Sequence, residues 1–311
     1  MKKLISIICP AYNEEKNIPV FYESLQAVLE PLRNRYDFEL IFTNNRSEDG
    51  TLNEMMKLQK SDPTVQVITM SRNFGYQASV QAGMTYSSGD GTIVIDADCE
   101  DPPELLPKFL EKWEEGYDIV YGIRGDRPML KIEKEARDFF YRLLKKCADM
   151  DIILYMAEFA LISKHVKEVA LNNQTTFPFI RAEIGYAGFK RHGIHYDREP
   201  RPHGKSSYNI VGMFSFAIAG LLTSSTFLFR LSGYLLPLIV LINFLFIAID
   251  LMTIGNSGFR ILISLDLTYL IFLLTINGVY LARVYKNQIG RPTFIIDTKL
   301  SHLHQQQDNH L

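Results

Sequence analysis

At Ile210 the chain changes solvent, and that break limits what it can fold into more than any other feature. Up to about Tyr208 polar and apolar residues alternate as in a soluble α/β domain, whereas Leu, Ile, Phe and Val dominate from Ile210 onward. Three apolar runs follow: Ile210 to Phe229, Leu231 to Ile249 and Ile261 to Ala282. The second and third have the length of a membrane-spanning helix, about 20 residues. The first is long enough too, but only Arg230 separates it from the second, and no hairpin between spans closes on one residue. It also carries Thr223-Ser224-Ser225-Thr226. The expectation is therefore that residues 209–230 form amphipathic helices along the interface and residues 231–283 a two-helix transmembrane hairpin.

Two spans return the chain to its starting side. The connection from Thr253 to Arg260 carries one basic residue, while the flanks carry Lys205, Arg230, Arg283, Lys286 and Arg291. The excess of positive charge on the flanks places residues 1–208 and the tail, 284–311, in the cytoplasm of a multi-pass inner (plasma) membrane protein. Asn243, Asp250, Asp266 and Asn277 lie within or at the ends of the spans. Polar groups at such depth usually face protein, so they read as helix–helix contacts in a homo-oligomer. The Gln- and His-rich stretch from His302 to Leu311 reads as disordered.

The soluble part alternates strand and helix. Leu4 to Cys9, Phe38 to Thr43, Val65 to Met70 and Thr92 to Ile95 are apolar runs of strand length. Helical stretches follow the first three, near Asn17 to Leu32, Thr51 to Gln59 and Tyr76 to Ser87. That alternation predicts an α/β fold, a mainly parallel Rossmann-like sheet with helices on both faces. The run Leu4 to Cys9 resembles a signal peptide, but its six apolar residues end at Pro10 without a cleavage pattern, so a first strand is the better reading. Three scattered cysteines suit a reducing compartment. A net charge of -2 argues against nucleic acid as a partner. The absence of G-x-G-x-x-G and of a Walker lysine motif argues against dinucleotide and ATPase sites.

The fourth strand ends in acid: Asp96, Asp98, Glu100 and Asp101, before Pro102-Pro103 opens a helix. If the strand alternation continues, Asp96, Asp98 and Glu100 project together. Such a loop can simply be solvated. Its place beyond a strand's carboxyl end, where open α/β sheets bind ligands, makes it the candidate active site. Oxygen ligands alone suit Mg²⁺ or Mn²⁺, with phosphates completing the shell. Just ahead of the apolar region, Arg198, Arg201 and Lys205 stand with the hydroxyls of Ser206, Ser207 and Tyr208. This is a dense donor set for a phosphate, or, more blandly, for anionic lipid head groups.

In chain order, Pro10-Ala11-Tyr12-Asn13-Glu14-Glu15, Ser47-x-Asp49-Gly50-Thr51, Ser71-Arg72-Asn73-Phe74-Gly75, Ala82-Gly83 and Asp96-Ala97-Asp98-x-x-Asp101-Pro102-Pro103-Glu104 resemble a family 2 glycosyltransferase of GT-A fold. The likeness continues through Tyr121-Gly122-x-Arg124, Phe140 to Leu144, Arg198-x-x-Arg201, Gly204-x-Ser206-x-Tyr208 and Gly290-Arg291-Pro292. It points to the polyisoprenyl-phosphate branch, which includes dolichol-phosphate mannose synthases and bactoprenol glucosyltransferases. The resemblance implies a nucleotide-sugar site at Pro10, Ala11, Tyr12, Asn13, Glu14, Asn44, Asn45, Ser47, Arg72, Asn73, Asp96, Ala97 and Asp98. It implies a metal on Asp96, Asp98 and Glu100, and an acceptor-phosphate site at Arg124, Arg198, Arg201, Lys205, Ser206 and Tyr208. Asp96, Asp98 and Glu158 would be the catalytic residues.

The chain departs from that pattern in three places. Asn44-Asn45 replaces a usual pair of Asp, and Glu100 stands where Gln is usual. Ala157-Glu158-Phe159-Ala160-Leu161 replaces Gly-Asp-Phe-Arg-Leu, keeping the acid and losing the arginine. The implied activity is inverting, metal-dependent transfer of a hexose, from UDP-glucose or a similar UDP-hexose, to undecaprenyl or another polyprenyl phosphate. A processive polysaccharide synthase is disfavoured, because the sole tryptophan, Trp113, lies outside any Q-x-x-R-W motif. A catalytically silent scaffold that binds nucleotide-sugar, or a transferase with a non-lipid acceptor, is the alternative.

Overall fold

The computed structural model describes residues 2–125, 156–172, 179–203, 225–252 and 257–304. Seven strands form one sheet: β1 (Lys3–Ala11), β2 (Tyr36–Asn44), β3 (Val65–Thr69), β4 (Gly91–Val94), β5 (Ile119–Arg124), β6 (Met156–Ser163) and β7 (Arg191–Tyr196). Their order is β3-β2-β1-β4-β6-β5-β7. β6 pairs antiparallel with both β4 and β5, and every other pairing is parallel. The mainly parallel α/β sheet read from the sequence is therefore present, with one reversed strand.

Successive residues of the central strands enter different cores, which is why these strands are apolar throughout rather than alternating. Ile5, Ile7, Leu40, Phe42, Ile93 and Ile95 face one core with α1 (Asn17–Leu29), α2 (Thr51–Ser61) and α4 (Leu106–Glu114). Ile8 and Val94 face the other with α3 (Tyr76–Tyr86), α5 (Lys164–Asn172) and α6 (Ile180–Ala187). Gly83 lets α3 press on β1, since a Cβ there would lie 2.3 Å from Ile8 Cγ2. Helix α1 stops at Leu29 rather than Leu32, because Pro31 turns the last residues into a 3₁₀ turn.

Two long helices follow, α7 (Phe227–Met252) and α8 (Ser257–Ile289). Their apolar stretches, Phe227–Ile249 and Ile261–Ile289, are only 6% buried, unlike the core helix of a soluble protein. Such an apolar exposed surface is compatible with a membrane rather than with water. Helix α7 starts before Arg230, so that residue lies in its first turn and not between two helices. No Gly or Pro interrupts Phe227 to Leu231. The remainder of the expected interfacial segment, residues 210–224, lies outside the described residues. Within the hairpin, Asn243 Nδ2 donates to Asp266 Oδ1 at 2.8 Å, and Tyr269 and Tyr280 donate to the carbonyls of Ser232 and Ser225. The Asn243–Asp266 contact closes inside one chain, where the sequence pointed to a contact between chains.

The start of the tail departs from expectation, while residues 305–311 lie outside the described residues. His302, Leu303 and His304 are placed, not loose: residues 295–302 lie along β3, with bridges Met70↔Ile296 and Val67↔His302. Thr69 accepts from Asp297 N at 2.8 Å, and Val67 and His302 exchange two backbone bonds. Phe294, Ile296 and Leu303 pack on Ile41, Ile68 and Met70. This strap covers what would otherwise be an open sheet edge.

Candidate active site

In a parallel sheet the loops after the strands share one rim, and here five of the implied loops meet there. The loops after β1 and β2 are bonded to each other. Asn13 N donates to Ser47 Oγ at 3.1 Å, Glu48 N to Asn13 Oδ1 at 2.9 Å, and Glu14 N to Thr51 Oγ1 at 2.7 Å. Asn13 and Arg46 adopt left-handed backbone, φ 58° and 61°. Pro10 and Ala11 are buried at the end of β1, while Tyr12, Asn13, Arg72 and Asn73 are exposed on the rim.

Asn44 and Asn45 are buried and hold loops together. Asn44 Oδ1 accepts from Ser47 N at 2.9 Å. Asn45 Nδ2 donates to Asn73 Oδ1 at 3.0 Å, and its Oδ1 accepts from Phe74 N at 2.9 Å. Asn73 Oδ1 also accepts from Gly75 N. An Asp at position 45 would have no donor for Asn73 Oδ1, which gives the departure from the usual Asp a physical reason.

β4 ends at Val94 and Cys99 turns left-handed at φ 61°, so the strand's alternation does not carry through the acidic loop. Tyr76 Oη donates to Asp96 Oδ1 at 2.6 Å. Glu100 pairs with Arg198 at 2.6 Å, and Arg201 pairs with Glu14 and lies 3.8 Å from Asp98 Oδ2. Asp101 is fully buried, accepting from Tyr196 Oη at 2.5 Å and from Arg124 Nη2 at 3.1 Å. Arg124 reaches within 4.0 Å of Asp96 as well. Arg124, Arg198 and Arg201 thus lie against the acidic loop. Lys205, Ser206 and Tyr208 lie outside the described residues.

Even so the cluster resists its own charge. Burial and then Asp101 and Asp98 push Asp96 up to about 7; burial also raises Asp98 and Glu14. Among the described residues no three of His, Cys, Asp and Glu converge in ligand geometry. The donor set still fits a hard cation: oxygens only, half-buried, with Asp96 and Asp98 both held above the ordinary carboxylate range, which added positive charge would relieve.

Because β6 is reversed, its amino end reaches the same rim and brings Glu158 there. Gln77 Nε2 donates to Glu158 Oε1 at 3.0 Å, and Arg181 Nε lies 2.9 Å from the same oxygen. Sequence reasoning did not single out Tyr76, Gln77 or Arg181. The first two follow Ser71 to Gly75 directly and start α3, a signal that could have found them. Arg181 left none.

Glycosyl transferase family 2 matches residues 6–170 of the chain. Over 300 residues, 94% of this chain and 92% of the other, it is 34% identical to an uncharacterized glycosyltransferase of Bacillus subtilis (strain 168). Over 307 residues, 96% and 98% of the two chains, it is 32% identical to the SfII prophage-derived bactoprenol glucosyl transferase of Shigella flexneri. Glucosyl-3-phosphoglycerate synthase from Mycobacterium tuberculosis, solved with Mg²⁺ and uridine diphosphate, superposes with a TM-score of 0.49 at 20% identity, covering 71% of this chain and 79% of that one.

Proposed function

Because the chain belongs to glycosyl transferase family 2 and is a glycosyltransferase, we propose that it moves a hexose from a nucleoside diphosphate sugar to a polyprenyl phosphate at the cytoplasmic membrane face. UDP-glucose or a similar UDP-hexose is the proposed donor. The observation that carries this reading is continuity. The rim that gathers the acidic loop, the Asn44–Ser47 loop and Glu158 also receives Arg198 and Arg201, and the same chain continues into two apolar, exposed helices. Relatives matched across the whole of that arrangement include bactoprenol glucosyl transferases.

The acceptor phosphate oxygen attacks the anomeric carbon as the bond to the leaving diphosphate breaks, inverting the configuration. A phosphate monoester has a second pKa of about 6, so it arrives already deprotonated and needs no general base. The work left to the protein is positioning. The Ala11 to Glu14 and Asn44 to Ser47 loops hold the nucleoside, and Arg198, Arg201 and Lys205 fix the attacking phosphate. Asp96 and Asp98, joined by Glu100, would hold Mg²⁺ or Mn²⁺, which when bound offsets charge on the leaving group. Homo-oligomerisation through the spans belongs to the same proposal.

Nucleoside diphosphate release from a panel of nucleotide-sugars, with and without polyprenyl phosphate, tests this. Release should depend on the lipid phosphate and disappear with chelator. Release with water or a soluble acceptor alone would make the acceptor non-lipid, and binding without release would make the protein a silent scaffold.

A further inference from the structure

We propose that Arg181 is a positioning residue for the transfer, acting through Glu158. The inference rests on reading this rim as the transfer site. Arg181 Nε lies 2.9 Å from Glu158 Oε1 as an ion pair, and Gln77 Nε2 donates to the same oxygen at 3.0 Å. Both partners are themselves held. Arg181 Nη1 donates to Met156 O at 2.8 Å, two residues before Glu158 on β6. Gln77 Oε1 accepts from Ile180 N at 3.0 Å, the residue next to Arg181. The Glu158 carboxylate is thereby tied to α3, α6 and its own strand at once. The side chains are 26% and 13% exposed, so the pair is shielded from bulk water and its charges are felt nearby.

The consequence is electrostatic. A carboxylate on the rim would repel an incoming phosphate dianion, and a guanidinium paired with it offsets that charge. Arg181 thus lets an acid stand beside an anionic acceptor. A purely structural clamp between α6 and β6 is the competing role, although Ile180 and Ile184 already bury α6 in the core.

The test is a double-mutant cycle on the full-length protein, using Arg181→Gln, Glu158→Gln and the pair, with Arg181→Lys as the charge-conserving control. Arg181→Gln should raise KM for polyprenyl phosphate about tenfold to a hundredfold, the range for losing one charge-assisted contact, with donor affinity nearly unchanged. Arg181→Lys should recover most of that loss. In the Glu158→Gln background, Arg181→Gln should cost under about threefold, since the charge to be cancelled is gone. Additive losses, a parallel fall in donor affinity, or a thermal midpoint lowered equally by Lys and Gln would overturn the proposal. Should transfer occur only to another acceptor, the lipid reading fails, and the same cycle on that acceptor still decides the role of Arg181.

Discussion

Asp96 holds its proton far more tightly than an ordinary aspartate, up to about 7 against 3.8, through burial and the Asp101 and Asp98 charges. The raised value means that the native state binds the proton better than the unfolded state does. Ionising Asp96 therefore costs stability progressively as pH rises from about 4, and the full cost is reached above about 7. Without divalent cation, Asp96→Asn should thus raise the thermal midpoint at pH 8 and change it little near pH 4, by an amount worth up to a few kcal/mol. The same variant should lose nearly all turnover. A midpoint lowered equally at both pH values would contradict the charge argument. Arg201, seated on Glu14 and beside Asp98, competes with any cation for those carboxylates. Arg201→Ala should tighten Mn²⁺ binding several-fold by paramagnetic resonance while weakening use of the acceptor. Weaker Mn²⁺ binding would place Arg201 outside that competition. These contacts were not legible in the sequence. Asp96 and Arg201 stood out by type and position, but that the basic segment folds onto the acidic loop is a long-range fact that no local spacing encodes.

At the scale of elements, strand existence was readable and strand direction was not. Leu4 to Cys9 and Phe38 to Thr43 announced themselves as apolar runs, each extended by a few residues in the fold. Nothing in Met156 to Ser163 says that it runs backward, yet only that reversal brings Glu158 beside the end of β4. The strap on β3 was hidden differently, since Phe294-Ile295-Ile296 is a short apolar run between a membrane helix and a polar tail. Ile296 packs on the buried Ile41, Ile68 and Met70. Ile296→Ala should lower stability by about 1–2 kcal/mol, less than for a fully buried isoleucine because Ile296 is only partly covered, with a lower denaturation midpoint and more aggregation through the bared edge. An unchanged midpoint would mean that the strap is not bound in solution.

For the whole molecule, the strap and the hairpin argue together about topology. Residues 295–302 bond to β3, so the chain that leaves the sheet domain through α7 and α8 comes back to that domain's own edge, the arrangement expected of a two-span hairpin. A reporter after Leu311 should be cytoplasmic, and a tag within Asn256 to Gly258 should be reached from outside; a C-terminal reporter on the outside would require a third span. Transfer with inversion onto a lipid phosphate is tested most directly by its product. Purified protein given an α-linked UDP-hexose and polyprenyl phosphate should yield a lipid-linked monohexosyl phosphate. Mass spectrometry should show the hexose on the lipid, and the anomeric proton coupling should show a β-linkage. An α-linked product would contradict the single in-line displacement, and hexose found only in water would contradict the lipid acceptor.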